Sequence, residues 1–577
     1  MRYILILLLL SLSLSAKNNK VTLVPIFFEG NKIVSTSDLE EVIGAKKPPF
    51  YAFWKERVAK IPAKMYDKLN VTFTLFYKNE GFYDANISSR KEKRGIIVTI
   101  EENRPIIIED IILNSDLDLS EDITLSIGER FRAKDFTETK KNIHKRLLTE
   151  GYCSPELLTR AYLDIERYEA YIKINLKKKK LCHFGKVTIK TKSKTMDNDI
   201  ILSRLRFEEG DVFNIEKIKE SYESLYRLEA FDQLNLDYSK KLYNKKPVDI
   251  TYREVSKKIH TRMGLGYATD LKFQGRFYWE YRNYHGNGKK LVFDTLLSKD
   301  QKRVENRFFV PFVYTFKNYH LDFLNSVGYS EERDIHNFDE RVLFEKLYLI
   351  HAGSQWYNSV GLGIEQREIF NANKVLNDHF FLVYPFMRLI YDKRDSKINP
   401  KNGFYFAHDM EYGIQYSSDS TSYLKYKDEA RLIYTPRWDT TLSAVGRIGA
   451  ISLYKNRIPE SKKFFAGGAF TNRGYGYDRL GITESQTEYS EFGGFTFANL
   501  SLEANFPLYK SFRGALFTDN TMISDNQGIW EFSNRVITSV GFGFRYETPL
   551  GPFKIDLGMN LHDKSQRAIH FQVGQSF

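Results

Sequence analysis

The chain has 577 residues, more than one ordinary domain holds, and aromatic side chains make up 15% of it. Charged residues account for 28% and the mean hydropathy is -0.43, which excludes a bundle of apolar transmembrane helices. The net charge of +13 is spread along the chain, so solvated faces explain it better than a nucleic-acid stripe, and we expect no nucleic-acid partner. Aromatic richness with average polarity is typical of a transmembrane β-barrel.

The N-terminus carries the one strongly apolar run of the chain. Arg2 provides a positive start, residues 4–10 are continuously apolar, and residues 13–16 offer Ser and Ala for cleavage. This pattern predicts a secretory signal peptide over residues 1–16, because the run is too short to span a bilayer as a helix. We therefore expect an exported protein without a membrane-spanning helix, and many amphipathic strands in such a chain indicate a bacterial outer membrane.

Helical and strand patterns then alternate in three similar units, which we place at residues 21–104, 105–180 and 181–256. Each is predicted to be a small β-α-α-β-β module. The hinge between the second helix and the second strand recurs as NEGFYDANI, TEGYCSPEL and LEAFDQLNL. A glycine ends the helix in the first two hinges, and alanine replaces it in the third. The shared hinge favours copies of one module over three unrelated α+β domains.

The two cysteines of the chain lie near the junction of the second and third modules. Cys153 follows the hinge of the second module, and Cys182 precedes the first strand of the third. An exported protein meets an oxidising compartment, where a disulfide can form and persist. A bond between the two would fasten the junction, and two free thiols are the alternative.

Segments that alternate in polarity fill residues 260–577. Leu500 and Leu502, for example, oppose Glu503 with the period of two that strands show. Charges on one face and apolar side chains on the other predict a polar lumen and a lipid-facing wall. We count sixteen strands, an even number that suits a closed antiparallel transmembrane β-barrel. Pro311 and Pro385 fall inside predicted strands, where proline removes a ladder hydrogen bond.

The longest gap between predicted strands, residues 454–494, joins strands eleven and twelve on the side away from the modules. Its stretch FFAGGAFTNRGYGYDRLG, residues 464–481, has too many aromatics and too few charges for a disordered segment. We predict a loop that folds back into the barrel and pairs Arg473 with inward acids, above all Glu503 or Asp519. The predicted lumen-anchoring residues are Arg473, Gly474, Tyr475, Glu503, Asp519 and Asp556. A surface loop with a solvated Arg473 is the alternative.

The seam between the first and last predicted strands is expected to be weak. Gly264 and Gly266 remove side chains that could pack on the first strand, and the last strand is short and ends at Phe577. A seam that opens sideways would offer unpaired backbone groups to an incoming strand, which is β-augmentation. The alternative is a closed wall in which the glycines permit curvature.

These features together resemble the BamA/TamA superfamily, and the modules resemble POTRA domains. Two further motifs agree: residues 391–406, YDKRDSKINPKNGFYF, are similar to the family's turn after strand eight, and residues 545–558, RYETPLGPFKIDLG, to its Thr-Pro-x-Gly-Pro turn. The terminal aromatic resembles the recognition signal of bacterial outer-membrane barrels. Three modules and this length are most similar to the TamA branch, since BamA typically carries five modules and two-partner secretion transporters carry two.

The resemblance implies an outer-membrane protein with periplasmic modules that helps to insert or export β-barrel and autotransporter-type proteins, without cofactor. Implied partners are a TamB-like periplasmic protein, unfolded outer-membrane protein clients and outer-membrane lipid, with a role in lipid transport left open. A two-partner-type secretion pore and a BamA-type core insertase are the alternatives, whereas a passive porin would not need three modules. No GxSxG, HExxH or phosphate-loop motif is present and the 11 His are scattered, so we expect no catalytic residue and no metal.

Overall fold

The computed structural model describes residues 22–47, 58–191, 195–240, 242–268, 272–316, 319–333, 338–372, 377–416, 420–436, 438–455, 457–509, 511–527, 535–548 and 552–573. The predicted signal peptide and Phe577 lie outside these ranges. Within them, no helix is both long enough and apolar enough to cross a membrane. The chain divides into two compact units: residues 1–186, 208–216 and 239–247 form the first, and residues 187–207, 217–238 and 248–577 form the second.

The first module is a four-stranded sheet covered by two helices. Its elements are β1 (Leu23–Glu29), α1 (Thr36–Val42), β2 (Lys60–Pro62), α2 (Leu69–Asn79), β3 (Asn86–Glu92) and β4 (Gly95–Glu101). The sheet order is β2-β1-β4-β3, with β1 parallel to β4. On α2, the spacing of Leu69, Phe73 and Tyr77 places three buried side chains on one helix face, which packs into the core of the module. The short edge strand β2 is an addition to the predicted order.

A buried carboxylate closes the first module. Glu102, just after β4, accepts hydrogen bonds from the backbone N–H groups of Ile33 (2.7 Å) and Val34 (3.0 Å) and from the Tyr77 hydroxyl (3.1 Å). Burial by itself raises the pKa of Glu102, but these donors outweigh it and hold the pKa below its ordinary value. The ionised side chain therefore ties the segment after β1 to α2 and to the end of β4.

The second module has a three-stranded sheet and one long helix. Its elements are β5 (Ile107–Ser115), α3 (Ala133–Thr149), β6 (Glu156–Asp164) and β7 (Glu169–Lys177), in the sheet order β5-β7-β6. At the position of its first predicted helix, this module has a 3-10 turn, Ser120–Asp122. The Asp118 carboxylate accepts a hydrogen bond from the Ser120 N–H (3.0 Å), a local contact that competes with helix formation. Beyond β7, Cys182 forms a disulfide with Cys153, with 6.0 Å between their Cα atoms.

The third module follows the predicted order of elements, and the boundary between the two compact units passes through it. It contains β8 (His183–Lys190), α4 (Asn198–Leu202), α5 (Ile215–Tyr226), β9 (Phe231–Asp237) and β10 (Lys245–Glu254). Its sheet order is β8-β10-β9, and β9 and β10 pair in the antiparallel sense.

A 16-stranded antiparallel sheet makes up most of the second unit, which confirms the predicted fold class. Neighbours along the chain are neighbours in the sheet throughout. The strands are β11 (Ile259–Ala268), β12 (Lys272–Arg282), β13 (Lys290–Ser298), β14 (Gln301–Phe316), β15 (Tyr319–Glu332), β16 (Asp339–Ala352), β17 (Trp356–Phe370), β18 (Asp378–Asp392), β19 (Gly403–Tyr416), β20 (Thr421–Tyr434), β21 (Thr441–Leu453), β22 (Thr496–Tyr509), β23 (Phe512–Ser524), β24 (Ile537–Tyr546), β25 (Phe553–Asn560) and β26 (Arg567–Val573).

The two prolines inside strands are accommodated by local irregularities. Beside Pro311, the register of β14 against β15 shifts between Val310 and Tyr314, and Phe312 takes a positive φ of 55°. Pro385 pairs with Leu362 of β17, and the ladder with β19 is interrupted between Val383 and Phe386 without a change of register. Both prolines thus lie where the missing N–H leaves the rest of the ladder intact.

The alternation of side chains gives the sheet two different faces. On β22, Leu500 is 46% exposed on the outer face, whereas Glu503 is 6% exposed on the inner face. The outer face is apolar and suits lipid, and the inner face carries the charged and polar side chains that bind the long loop described below.

The first and last strands of the sheet meet at a seam. Some Cα atoms of β11 and β26 approach within 8 Å, yet among the described residues no β-ladder joins these two strands. Gly264 and Gly266 lie on β11, and a Cβ added at Gly264 would meet no atom within 4 Å. A Cβ at Gly266 would lie 3.4 Å from the Gln274 side chain, and the neighbouring Met263 and Leu265 are 79% and 80% exposed.

Candidate functional site

A long loop between β21 and β22, residues 454–495, packs against the inner face of the sheet; we call it the lumen loop. Its two arms pair with each other through bridges between Phe464 and Gly494 and between Ala466 and Leu480. Phe464 stacks on Phe497 of β22 with ring centroids 5.7 Å apart. The loop shares one buried apolar cluster with strands that precede it and strands that follow it in the chain. The members are Phe338, Ile369, Phe380, Leu382, Tyr384, Tyr423, Ile451, Ile458, Phe464, Ala466, Tyr475, Leu480, Phe497, Ile523 and Ile537.

Glycines make the sharp turn at the tip of the lumen loop possible. Gly467 and Gly468 have φ values of 106° and 89°, in the left-handed region that side chains with a Cβ avoid. The Thr471 hydroxyl closes this turn, donating to the Gly467 carbonyl (2.8 Å) and accepting from the Gly467 N–H (2.9 Å). The turn directs the next residues, Asn472 and Arg473, towards the wall.

Arg473 forms a buried ionic contact with two strands, which we call the arginine anchor. Its Nε and Nη2 each donate to the Asp519 carboxylate of β23 at 2.9 Å, and its backbone N–H donates to the same group at 3.0 Å. Its Nη1 donates to Glu503 of β22 at 2.6 Å. The guanidinium carbon also lies 3.4 Å from the centre of the Phe517 ring. Only 7% of the Arg473 side chain is exposed, so these partners replace water almost completely.

Charge around the arginine anchor is balanced within a small buried volume. Asp556 of β25 lies 3.7 Å from Arg473 Nη1 and accepts from Arg545 Nη1 at 2.5 Å. Arg545 also contacts Glu503 at 3.2 Å, and the buried Lys554 lines the same space. Three cations therefore face three carboxylates: Arg473, Arg545 and Lys554 with Glu503, Asp519 and Asp556. Arg447, which lines the same space, is matched by Glu429 of β20 at 2.8 Å. Each charge is stable at low dielectric only while its partners stay in place.

The residues after Arg473 lie flat against the following strands. A Cβ at Gly474 would collide with the Ser539 side chain of β24, so only glycine permits this approach. The Tyr475 ring is buried beside Tyr489, and its hydroxyl accepts a hydrogen bond from Asn560 of β25 (2.8 Å). In the Arg-Gly-Tyr motif, the arginine thus supplies a cation, the glycine lets the backbone approach β24 closely, and the tyrosine supplies a hydrogen-bonded aromatic ring.

The motif also reaches the strand that borders the seam. The Arg473 carbonyl lies 3.1 Å from Nε2 of His570 on β26. A side chain at Gly558 of β25 would strike the same carbonyl. The lumen loop therefore contacts every strand from β22 to β26.

A second buried contact, the lysine anchor, holds the first arm of the lumen loop on the wall from β16 to β20. Lys462, which is buried, places its ammonium 3.3 Å from Glu365 of β17 and 3.2 Å from Glu411 of β19. The Lys425 ammonium of β20 donates to the Lys462 carbonyl at 2.6 Å. The neighbouring Ser461 contacts Glu340 and Arg367, 2.9 Å from the latter. The loop is thus fixed at two separate parts of the inner face.

The structure brings all six predicted lumen residues together, with Arg473 bound to both preferred acids and close to Asp556. Gly264 and Gly266 lie on β11, apart from this group, and Phe577 falls outside the described residues. Sequence reasoning missed Arg545 and Lys554 as members of the charge cluster, although alternation along β24 and β25 already places both on the inner face. It also missed the lysine anchor.

Three N-terminal α/β modules, a sixteen-stranded antiparallel sheet and a loop bound to its inner face define the class: a modular outer-membrane barrel protein. Residues 283–577, just over half of the chain, match the Omp85 superfamily domain. The chain belongs to the Omp85 superfamily. It is an outer-membrane protein with its N-terminal modules in the periplasm.

Individual relatives agree with this family. An outer membrane protein assembly factor BamA from Nitratidesulfovibrio vulgaris (strain Hildenborough) is 21% identical over 596 residues, covering 97% of this chain and 74% of the relative. A SAM50-like protein of Schizosaccharomyces pombe is 27% identical over 206 residues, covering 32% of this chain and 42% of that protein. The crystal structure of BamA from Haemophilus ducreyi lacking POTRA domains 1–3 has a TM-score of 0.52 at 13% identity, over 81% of this chain and 99% of that chain, which supports the fold.

Proposed function

We propose that this protein helps to insert or export β-barrel and autotransporter-type proteins through the seam between β11 and β26. The observation that carries the proposal is the close approach of these two strands without a β-ladder between their described residues. Free N–H and C=O groups on two strand edges can pair with a strand of an unfolded client, which is β-augmentation. The name of the BamA relative, an outer membrane protein assembly factor, supports the same activity.

In this proposal the lumen loop keeps one side of the seam in shape. The arginine anchor holds β22 and β23, and the Arg473 carbonyl supports β26 through His570. The opposite edge, β11, has Gly264 and Gly266 and no such support from the loop in the described contacts. A wall that is rigid on one side and compliant on the other can open at the seam without losing the rest of the sheet.

The finer assignment that we propose is the TamA branch, with the periplasmic modules docking a TamB-like protein. The three modules, with proposed boundaries 21–104, 105–180 and 181–256, support this branch. Clients would be unfolded outer-membrane proteins, and lipid is a second candidate cargo. A BamA-type core insertase is the second candidate, favoured by the match to a BamA over 97% of this chain.

A cysteine pair across the seam tests the activity. One cysteine is introduced in β11 at Gly264 or Gly266 and one in β26 at Ala568 or Gln572, and the crosslinked product is purified. We expect oxidation to stop client insertion and reduction to restore it. The matched control is a pair at Phe277 and Thr295, which already face each other across the ladder of β12 and β13. Unchanged insertion by the crosslinked seam would refute the proposal.

Recovery of partners from detergent-solubilised envelopes tests the branch, with the full-length protein as bait. A single long periplasmic partner supports the TamA assignment. Several lipoproteins would replace it with a BamA-type core insertase, and no partner at all would favour a stand-alone secretion pore.

A further inference from the structure

A cavity of about 290 Å³ lies on the inner face of the sheet between β16 and β20. Six charged side chains line it: Lys346, Arg388, Asp409, Glu411, Lys425 and Lys427. These side chains lie on the inner face of the sheet. Glu411 and Lys425 show this directly, because both contact Lys462 of the lumen loop. Its floor is aromatic, with Tyr348 and Phe386 in edge-to-face contact at 5.0 Å.

The charges around this cavity do not balance, in contrast to the arginine anchor. Four cations face two carboxylates. In the next layer, Arg367 and Lys462 are matched by Glu340 and Glu365, and beside Lys427 the Glu429 carboxylate is matched by Arg447. The cavity therefore keeps two positive charges in excess, in a recess where the low-dielectric wall strengthens their field.

The two carboxylates of the cavity are already engaged. Asp409 lies 3.3 Å from Arg388. Glu411 lies 3.2 Å from the Lys462 ammonium and accepts from the Tyr423 hydroxyl at 2.9 Å. Each carboxylate of the cavity is therefore already close to a cation.

One cation of the cavity, Lys427, shares its cross-strand carboxylate, Asp409, with Arg388. Lys427 is partly buried on the inner face of β20, opposite Asp409 of β19, and no described carboxylate lies within 4 Å of its ammonium. Lys346, on the opposite side, lies 3.6 Å from Glu365, which Arg367 and Lys462 share. An ammonium that shares its cross-strand carboxylate with an arginine is stabilised by a further anion that enters.

We propose that this cavity binds a phosphate-bearing anion. A phosphate monoester carries about two negative charges at neutral pH, which matches the excess, whereas one carboxylate would neutralise only half of it. Lysine binds phosphate as a point charge, and an arginine such as Arg388 can offer a fork of donors. The ligand is either a small phosphate solute or the phosphate of a lipid headgroup.

The experiment uses full-length protein in a non-ionic detergent, with isothermal titration calorimetry at constant ionic strength in chloride. The two probes are inorganic phosphate and dihexanoyl phosphatidic acid. We compare the wild type with Lys427→Gln and Arg388→Gln, which each remove one charge, and with Lys427→Arg, which keeps it. Lys302→Gln is the matched control, because Lys302 pairs with Glu331 away from the cavity.

We expect saturable phosphate binding that weakens about tenfold in Lys427→Gln and in Arg388→Gln, as loss of one charge-assisted contact predicts. Lys427→Arg and Lys302→Gln should bind as the wild type does. If phosphatidic acid binds more tightly than inorganic phosphate, with the same dependence on Lys427, the ligand is a lipid headgroup. If only inorganic phosphate binds, the ligand is a small solute. No saturable binding of either probe, or equal binding by wild type and both glutamine variants, would overturn the proposal.

Discussion

Arg473→Ala is the substitution that most directly probes the balance of buried charge in the arginine anchor. It removes three side-chain hydrogen bonds, two to Asp519 and one to Glu503, from a side chain that is 7% exposed. Three carboxylates are then left with two cations, Arg545 and Lys554. Removing one partner from a buried pair costs about 3–5 kcal/mol, so we expect the free energy of unfolding to fall by that amount.

The measurement is urea unfolding in detergent micelles, followed by the gel mobility that separates folded from unfolded barrels. Arg276→Ala is the matched control: Arg276 also pairs with an acid on the inner face, Asp294 at 2.6 Å, but its side chain is 59% exposed. That pair should contribute about 0–1 kcal/mol. The double variant Arg473→Ala, Asp519→Asn restores equal numbers of charges and should recover part of the loss. Equal unfolding midpoints for Arg473→Ala and Arg276→Ala would refute the reasoning.

Three further perturbations follow from the same contacts. Lys462→Met should release the first arm of the lumen loop, so that a cysteine placed at the buried Ala466 reacts faster with a thiol reagent. The control is Ala466→Cys in the otherwise native protein, and equal reaction rates of the two proteins would contradict the lysine anchor. Replacing both Cys153 and Cys182 with serine should destabilise the first unit by about 3–4 kcal/mol, as expected for a closed loop of 29 residues, with faster proteolysis after residue 153 as the readout; an unchanged cleavage rate would count against it. The pKa of Glu102 is lowered by folding, so its stabilisation is complete above the unfolded pKa of about 4.3 and is lost as pH falls through the lower folded value. Hydrogen exchange at residues 33–34 should therefore be faster in Glu102→Gln than in the wild type at pH 7, and the difference should vanish in acid; a difference that persists there would contradict the assignment.

Period-two alternation predicts the strands and their inner faces well, because a barrel wall separates lipid from a polar interior along its whole length. The same alternation gives faces but not register. Asp519 lies opposite Ser501, one step along the inner face from Glu503, so a single guanidinium can reach both acids. A choice between Glu503 and Asp519 cannot be made from the sequence, because it depends on how β22 and β23 are aligned.

The lysine anchor and the missing helix of the second module were beyond sequence reasoning for different reasons. Lys462 finds its acids on β17 and β19, and neither partner leaves a local pattern near the loop. In the second module, the hydrogen bond from the Ser120 N–H to Asp118 favours a turn over a helix, although the repeat favours a helix. A sequence repeat or an alternation of polarity does not reveal ionic contacts between residues far apart in the chain. It also does not reveal where a side chain competes with the helix for backbone hydrogen bonds.

Insertion of an unfolded client into liposomes by the purified full-length protein tests the account most directly. The rate at which a small outer-membrane barrel reaches its folded gel mobility is compared between liposomes that contain the native protein, the oxidised seam-cysteine variant, the control pair at Phe277 and Thr295, or no protein. The account predicts faster folding with the native protein and the control pair, and no acceleration with the crosslinked seam. Equal folding rates in all four preparations would contradict it.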